Sequence, residues 1–153
     1  CKEAERFYKD FSLCEFNRSH FVSIEVASLI KFSINSFLAL KVIFFNQIKE
    51  IFTSLDLDDA HYDQYIKGIA LDKRIGDSHM SVPGHDGRFG FGGACFPKDT
   101  EAFLVFFEEN KKSFSLLAEA IKVNNNLRRD YSDLLDRERE QNITFKSGKG
   151  FND

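Results

Sequence analysis

Apolar positions crowd one stretch of this chain and thin out elsewhere. From Glu25 to Phe52 they fall on nearly every side of a helical wheel, with no glycine or proline between them. A helix apolar all round is one buried on all sides. Upstream, residues 2 to 11 (KEAERFYKDF) place Ala4, Phe7, Tyr8 and Phe11 on one side and predict a short amphipathic helix. Leu13 to Ser23 lacks such a period and reads as irregular, with a short strand at Phe21-Val22. Asp56 to Asp59 caps a helix predicted to reach Asp72. Lys73 to Phe89 holds Gly76, Pro83, Gly84 and Gly87 and reads as a long loop, a length usually tied to function. Helices are predicted from Pro97 to Asn110 and from Ser113 to Arg139, and the polar tail from Gln141 to Asp153 is expected to fray. The fold class is mainly α.

Covering so apolar a helix within 153 residues calls for a second subunit or further domains. Lys31 and Lys41 interrupt it, whereas a membrane span wants about 20 mostly apolar residues with few charges. A buried helix is the better reading, with no membrane partner. The charged start (Lys2, Glu3, Glu5, Arg6) leaves no apolar core for a signal peptide. Because the chain opens on Cys1, it is expected to be a piece of something longer. A net charge of −3 argues against a nucleic-acid binder. Three widely spaced cysteines, Cys1, Cys14 and Cys95, fit reduced thiols of a cytoplasmic protein better than a disulfide framework. His20, His61, His79 and His85 show no zinc spacing, so no metal is expected. Asp56-Leu57-Asp58-Asp59 resembles a calcium loop only superficially. It lacks the glycine, and Lys67 stands where the closing glutamate belongs.

The candidate chemistry centres on Gly90-Phe91-Gly92-Gly93-Ala94-Cys95-Phe96-Pro97-Lys98-Asp99. Glycines permit a tight turn and close approach to a ligand, and Pro97 suits a first helical turn. Asp99 and Glu101 would fall in that turn, favoured by the helix dipole. Cys95 would then sit just upstream of a helix N-terminus, which favours the nucleophilic thiolate. Asp99, four residues on, is within reach of it. The ordinary alternative is a buried cysteine acting as a small hydrophobe. On the long helix, Lys31 and Asn35 share one face. A lysine among Leu29, Ile30, Phe32 and Ile34 is costly to bury unless paired, and from the pattern alone a snorkelling side chain or an interface ion pair accounts for it better than catalysis does. Gly90-Phe91-Gly92 imitates a dinucleotide fingerprint, but no strand precedes it and no acidic residue follows at the end of a second strand, so that reading fails.

The decapeptide closely resembles the catalytic-cysteine motif of the nucleotide-sugar dehydrogenases, the UDP-glucose and GDP-mannose dehydrogenase family. Glu25 to Asn46 is similar to that family's lysine- and asparagine-bearing helix, and Asp72-Lys73-Arg74-Ile75-Gly76 is a third match. His79 to Arg88 resembles the substrate loop, with His85 where proline is more usual. The resemblance runs from about Glu3 to Arg129. It implies the remnant of an α/β NAD-binding domain in residues 1–23, a central helical dimerisation domain built on one long buried helix in 24–129, and a helix end with polar tail in 130–153. It implies NAD as cofactor, a nucleotide-sugar substrate and a homodimer through the 24–52 helix. Cys95 would capture a C6 aldehyde as a thiohemiacetal and later form a thioester. Lys31 would stabilise the oxyanion, Asn35 would bond substrate or water, and Asp99 would activate the hydrolytic water. Arg74 would reach a neighbouring subunit's substrate. Arg88 and Gly92 would contact the sugar, and Lys98 the NAD. UDP-glucose is the favoured substrate over GDP-mannose. The rivals are a non-catalytic helical dimerisation module or decayed open reading frame, and, more weakly, a small nucleotide-sugar binder.

Overall fold

The computed structural model describes residues 2–12, 19–131 and 133–145. These form six helices and no strand: α1 (Lys2–Phe11), α2 (Ile24–Ser54), α3 (Asp59–Ala70), α4 (Cys95–Glu109), α5 (Ser115–Arg128) and α6 (Asp136–Glu140). The chain divides into two compact units, Cys1–Lys31 and Phe32–Asp153.

In the first unit, α1 forms where the amphipathic pattern predicts it. It is held by i,i+4 ion pairs, Lys9 with Glu5 at 3.0 Å and Arg6 with Asp10 at 3.6 Å. Its aromatic side stays exposed, and the Phe7 and Phe11 rings lie 5.1 Å apart, tilted by 36°. The strand expected at Phe21-Val22 is absent. Residues 19–23 are irregular and end on Ser23, whose hydroxyl accepts from the Val26 N–H at 3.4 Å to cap α2. The rest of that irregular stretch, Leu13 to Arg18, lies outside the described residues, as do Cys1, Cys14 and the tail beyond Phe145.

In the second unit, α2 supplies two cores. Ala39 and Ile43 pack with Phe91 and Ala120, while Phe45 packs with Tyr62, Met80 and Val82. The Tyr62 hydroxyl donates to the Met80 carbonyl at 2.9 Å, tying the loop after α3 to that helix. Burial pushes the Tyr62 phenol far above its ordinary range. A third apolar group stacks Phe32 on Phe103 at 5.8 Å, with Phe107 and Phe114 closing around it. α4 and α5 pack against each other.

The expectation that α2 is buried on all sides is corrected. A helix of 31 residues runs about 46 Å, longer than the elements around it can cover. Ile34, Phe37, Phe44 and Ile51 of α2 are all roughly half or more exposed. By length and composition α2 would also suffice to cross a membrane. Yet it buries Asn46 and Lys49 within the fold, Lys49 reaching Asp59 at 2.5 Å and lying 4.5 Å over the Tyr62 ring.

Helix ends also shifted. Asp58 caps α3 as expected, its carboxylate accepting from the His61 N–H at 3.0 Å. α4 starts at Cys95, two residues before the predicted Pro97, because a proline in the first turn forfeits only an N–H that has no intrahelical partner. Asp99 and Glu101 therefore lie past the first turn. The helix predicted through Arg139 ends at Arg128, and a separate short helix, α6, follows. The tail does not fray at once, since Ile143 is buried.

Candidate active site

Cys95 is the first residue of α4 and is exposed. The loop that delivers it is strapped down by three helices. The Gly90 N–H donates to Asn46 Oδ1 of α2 at 2.9 Å, and the Phe91 N–H donates to Asn124 Oδ1 of α5 at 2.6 Å. The Gly93 N–H donates to Glu138 Oε1 of α6 at 2.8 Å. Arg128, at the end of α5, donates from Nη2 to the Gly90 carbonyl at 3.0 Å and pairs through Nη1 with Asp86 Oδ2 at 2.7 Å. Buried loop amides need such partners, because each unmet group costs its desolvation.

Close packing makes two of the glycines necessary. A Cβ at Gly90 would stand 2.5 Å from Asn124 Oδ1, and one at Gly92 would stand 2.3 Å from Arg128 Nη1. Gly90 and Gly93 also hold left-handed backbone, at φ +73° and +74°, which glycine adopts without strain.

One turn along α4 from Cys95, Asp99 is buried to 1% exposure. It accepts from Asn35 Nδ2 at 2.6 Å and pairs with the Lys98 ammonium. Two residues predicted for the site, Asn35 and Asp99, are thus brought together from positions 64 residues apart. Lys98 is engaged by Asp99 and half exposed. Lys31 lies in the other unit and is exposed.

Beside the glycine loop lies a cavity of about 440 Å³, walled by His79, His85, Asp86, Gly92, Phe96 and Arg128 among others. The His79 ring sits 5.5 Å from Phe96. Partial burial, then the charge of Lys41 and the neighbouring His85, hold the His79 imidazole below its ordinary range. Arg74 and Arg88 do not line this cavity. Arg74 is exposed and clamped by Asp72 at 2.6 Å, which in turn holds that carboxyl below its usual range. Arg88 is buried against the turn after α5, donating to the Asp133 carbonyl at 2.7 Å and lying 5.1 Å over the Tyr131 ring.

Asn46, Asn124, Arg128 and Glu138 escaped the sequence reading. Asn46 had a signal, being the polar residue that directly follows the apolar run Val42-Ile43-Phe44-Phe45. Glu138 had none, because its role depends on a chain reversal that no glycine or proline marks.

A sequence profile of the UDP-glucose/GDP-mannose dehydrogenase family, central domain, matches residues 25–126. The chain belongs to this family. Among its relatives, the UDP-glucose 6-dehydrogenase YwqF of Bacillus subtilis (strain 168) is 38% identical over 103 residues, covering 67% of this chain and 22% of that protein. The UDP-glucose 6-dehydrogenase of Rhizobium meliloti (strain 1021) is 34% identical over 109 residues, covering 71% and 23%. TuaD, a second UDP-glucose 6-dehydrogenase of B. subtilis, is 35% identical over 102 residues, covering 67% and 20%. The chain thus spans less than a quarter of the length of these dehydrogenases. Within the family's central domain fall the long helix, the Arg74 turn and the cysteine loop. Residues 1–23, likened above to the end of an NAD-binding domain, precede the matched segment.

Proposed function

We propose that this chain is the cysteine-bearing part of a nucleotide-sugar 6-dehydrogenase, acting on UDP-glucose in the cytoplasm. Residues 24–129 would be its dimerisation and catalytic-cysteine domain, 1–23 the end of an NAD-binding domain, and 130–153 a closing segment. The observation that carries the reading is the Asn35–Asp99 hydrogen bond one helical turn from Cys95, inside the segment that matches the family. It sets a carboxylate and an amide beside an exposed thiol at a helix start.

In the family reaction NAD accepts the two hydrides. The described residues do not fit that dinucleotide by themselves. They contain no strand, and a dinucleotide cradle is built on a strand, a glycine turn and a helix. Lys98, the residue the resemblance assigns to NAD, is turned to Asp99. The chemistry assigned to this chain is therefore that of the cysteine. The Cys95 thiolate adds to the C6 aldehyde carbon, and the resemblance assigns to Lys31 the oxygen that becomes negative. At the thioester stage, Asp99 takes a proton from water held with Asn35. The water oxygen bonds the carbonyl carbon, the C–S bond breaks, and Cys95 leaves as thiolate. Gly92, on the cavity wall, supports the sugar, and Arg74 serves a partner subunit's substrate, while Arg88, turned to Asp133, holds the loop beside it.

The exposed apolar row on α2 supports a homodimer through residues 24–52. The same row would serve a non-catalytic dimerisation module, so the test must read chemistry. Residues 25–126 would replace the matching segment of YwqF, and NADH formation from UDP-glucose would be followed. The graft should turn over, and the graft with Cys95→Ser should not complete the oxidation. Equal activity of the two grafts refutes the cysteine mechanism. The isolated chain should form no NADH, and running GDP-mannose in parallel separates the two substrates.

A further inference from the structure

Outside the segment that matches the family, α6 does something the catalytic reading leaves unused. Glu138 is fully buried. Its Oε2 accepts from the Leu135 N–H at 2.9 Å, capping its own short helix. Its Oε1 reaches across the chain to the Gly93 N–H at 2.8 Å, two residues before Cys95. The Arg128 guanidinium stands 3.7 Å from the same oxygen and also holds the Gly90 carbonyl. A Cβ at Gly92 would meet Glu138 Oε1 at 2.6 Å, so the loop is fitted against this carboxylate.

A buried charge pair adds little stability over an apolar pair of the same shape, and its use is to fix geometry. Here the geometry is that of the turn entering α4. Gly93 lies in the left-handed region, and a Cβ there would meet nothing within 4 Å, so no side-chain packing at this position sets its dihedrals. The hydrogen bond to Glu138 does, and it thereby aims the N-terminal turn that carries the thiol.

We infer that Glu138 is a positioning residue for Cys95, acting through the Gly93 amide. The inference rests on reading Cys95 as the nucleophile. Aspartate and glutamine at this position separate positioning from mere structural support. Glu138→Gln keeps an oxygen at the distance of Gly93 but loses the charge toward Arg128, and its amide nitrogen cannot accept from the Leu135 N–H, so the cap of α6 is lost as well. Glu138→Asp keeps the charge but withdraws the oxygen from Gly93.

The test is the rate of Cys95 alkylation by iodoacetamide in the folded full chain, with Cys1 and Cys14 replaced by serine and helicity checked by circular dichroism. Glu138→Asp should slow alkylation about tenfold, in line with the cost of a small misplacement of a reacting group. Glu138→Gln should stay near wild type, as should the exposed neighbour Arg137→Gln. Should Glu138→Asp fail to fold, hydrogen exchange at the Gly93 amide of the unsubstituted chain decides. Protection supports the inference, and exchange at the rate of a free loop amide overturns it. A fast wild-type thiol unaffected by Glu138→Asp, or slowed by Gln and not by Asp, overturns the positioning role alone. A wild-type thiol no faster than a free cysteine overturns the nucleophile reading and this inference with it.

Discussion

Replacing Gly92 with alanine probes the packing that holds the cysteine loop. The added Cβ would lie 2.3 Å from Arg128 Nη1, 2.6 Å from Glu138 Oε1 and 2.7 Å from Arg128 Cζ. The ends of long side chains usually swing away at small cost. These cannot, because Arg128 is 2% exposed and Glu138 0%, and both are hydrogen-bonded to the loop itself. Overpacking alone costs about 1–3 kcal/mol. If the guanidinium yields instead, a buried pair is disrupted at a cost of about 3–5 kcal/mol. About 3 kcal/mol is therefore expected, or a fall in Tm of roughly 6–12 °C for a chain of this size. Gly93→Ala is the internal control. Nothing lies within 4 Å of its Cβ, so only the left-handed backbone at φ +74° is strained, about 1–2 kcal/mol. Urea unfolding followed by circular dichroism measures both. If Gly92→Ala is no worse than Gly93→Ala, the argument that Arg128 and Glu138 are immobile is wrong.

Asp99→Ala should destabilise the chain by about 1–3 kcal/mol, because it strands the Asn35 amide in a partly buried site; thermal melting checks this, and an unchanged Tm would mean that Asn35 finds another acceptor. The lowered His79 pKa makes stability depend on pH. The unfolded chain binds this proton more tightly, so the contribution is whole above the ordinary value of 6.5 and is lost as pH falls below it toward the depressed folded value. His79→Gln should flatten the urea midpoint against pH in that interval, and an identical slope would count against the burial of the ring. Phe37→Glu with Phe44→Glu should leave the helical signal intact and shift sedimentation to the monomer if the α2 row is a dimer face, while an unchanged sedimentation coefficient would reject it.

Local physics made several elements readable from the sequence alone. The amphipathic period of KEAERFYKDF, the uninterrupted apolar run of α2 and the Asp58 cap each encode structure in neighbours a few residues apart, and α1, α2 and α3 formed accordingly. Glycines followed by Cys95 and Pro97 marked the loop-to-helix turn within two residues. Only the tertiary structure decided what depends on distant groups meeting. The bond between Asn35 and Asp99, the turn that ends α5 at Arg128, and the grip of Asn46, Asn124 and Glu138 on the glycine loop join residues more than thirty positions apart or arise from a break no local signal records. Hydropathy reports that a residue prefers to be buried, and is silent on which surface buries it. α2 therefore read as covered on every side, while the folded chain leaves one of its faces open.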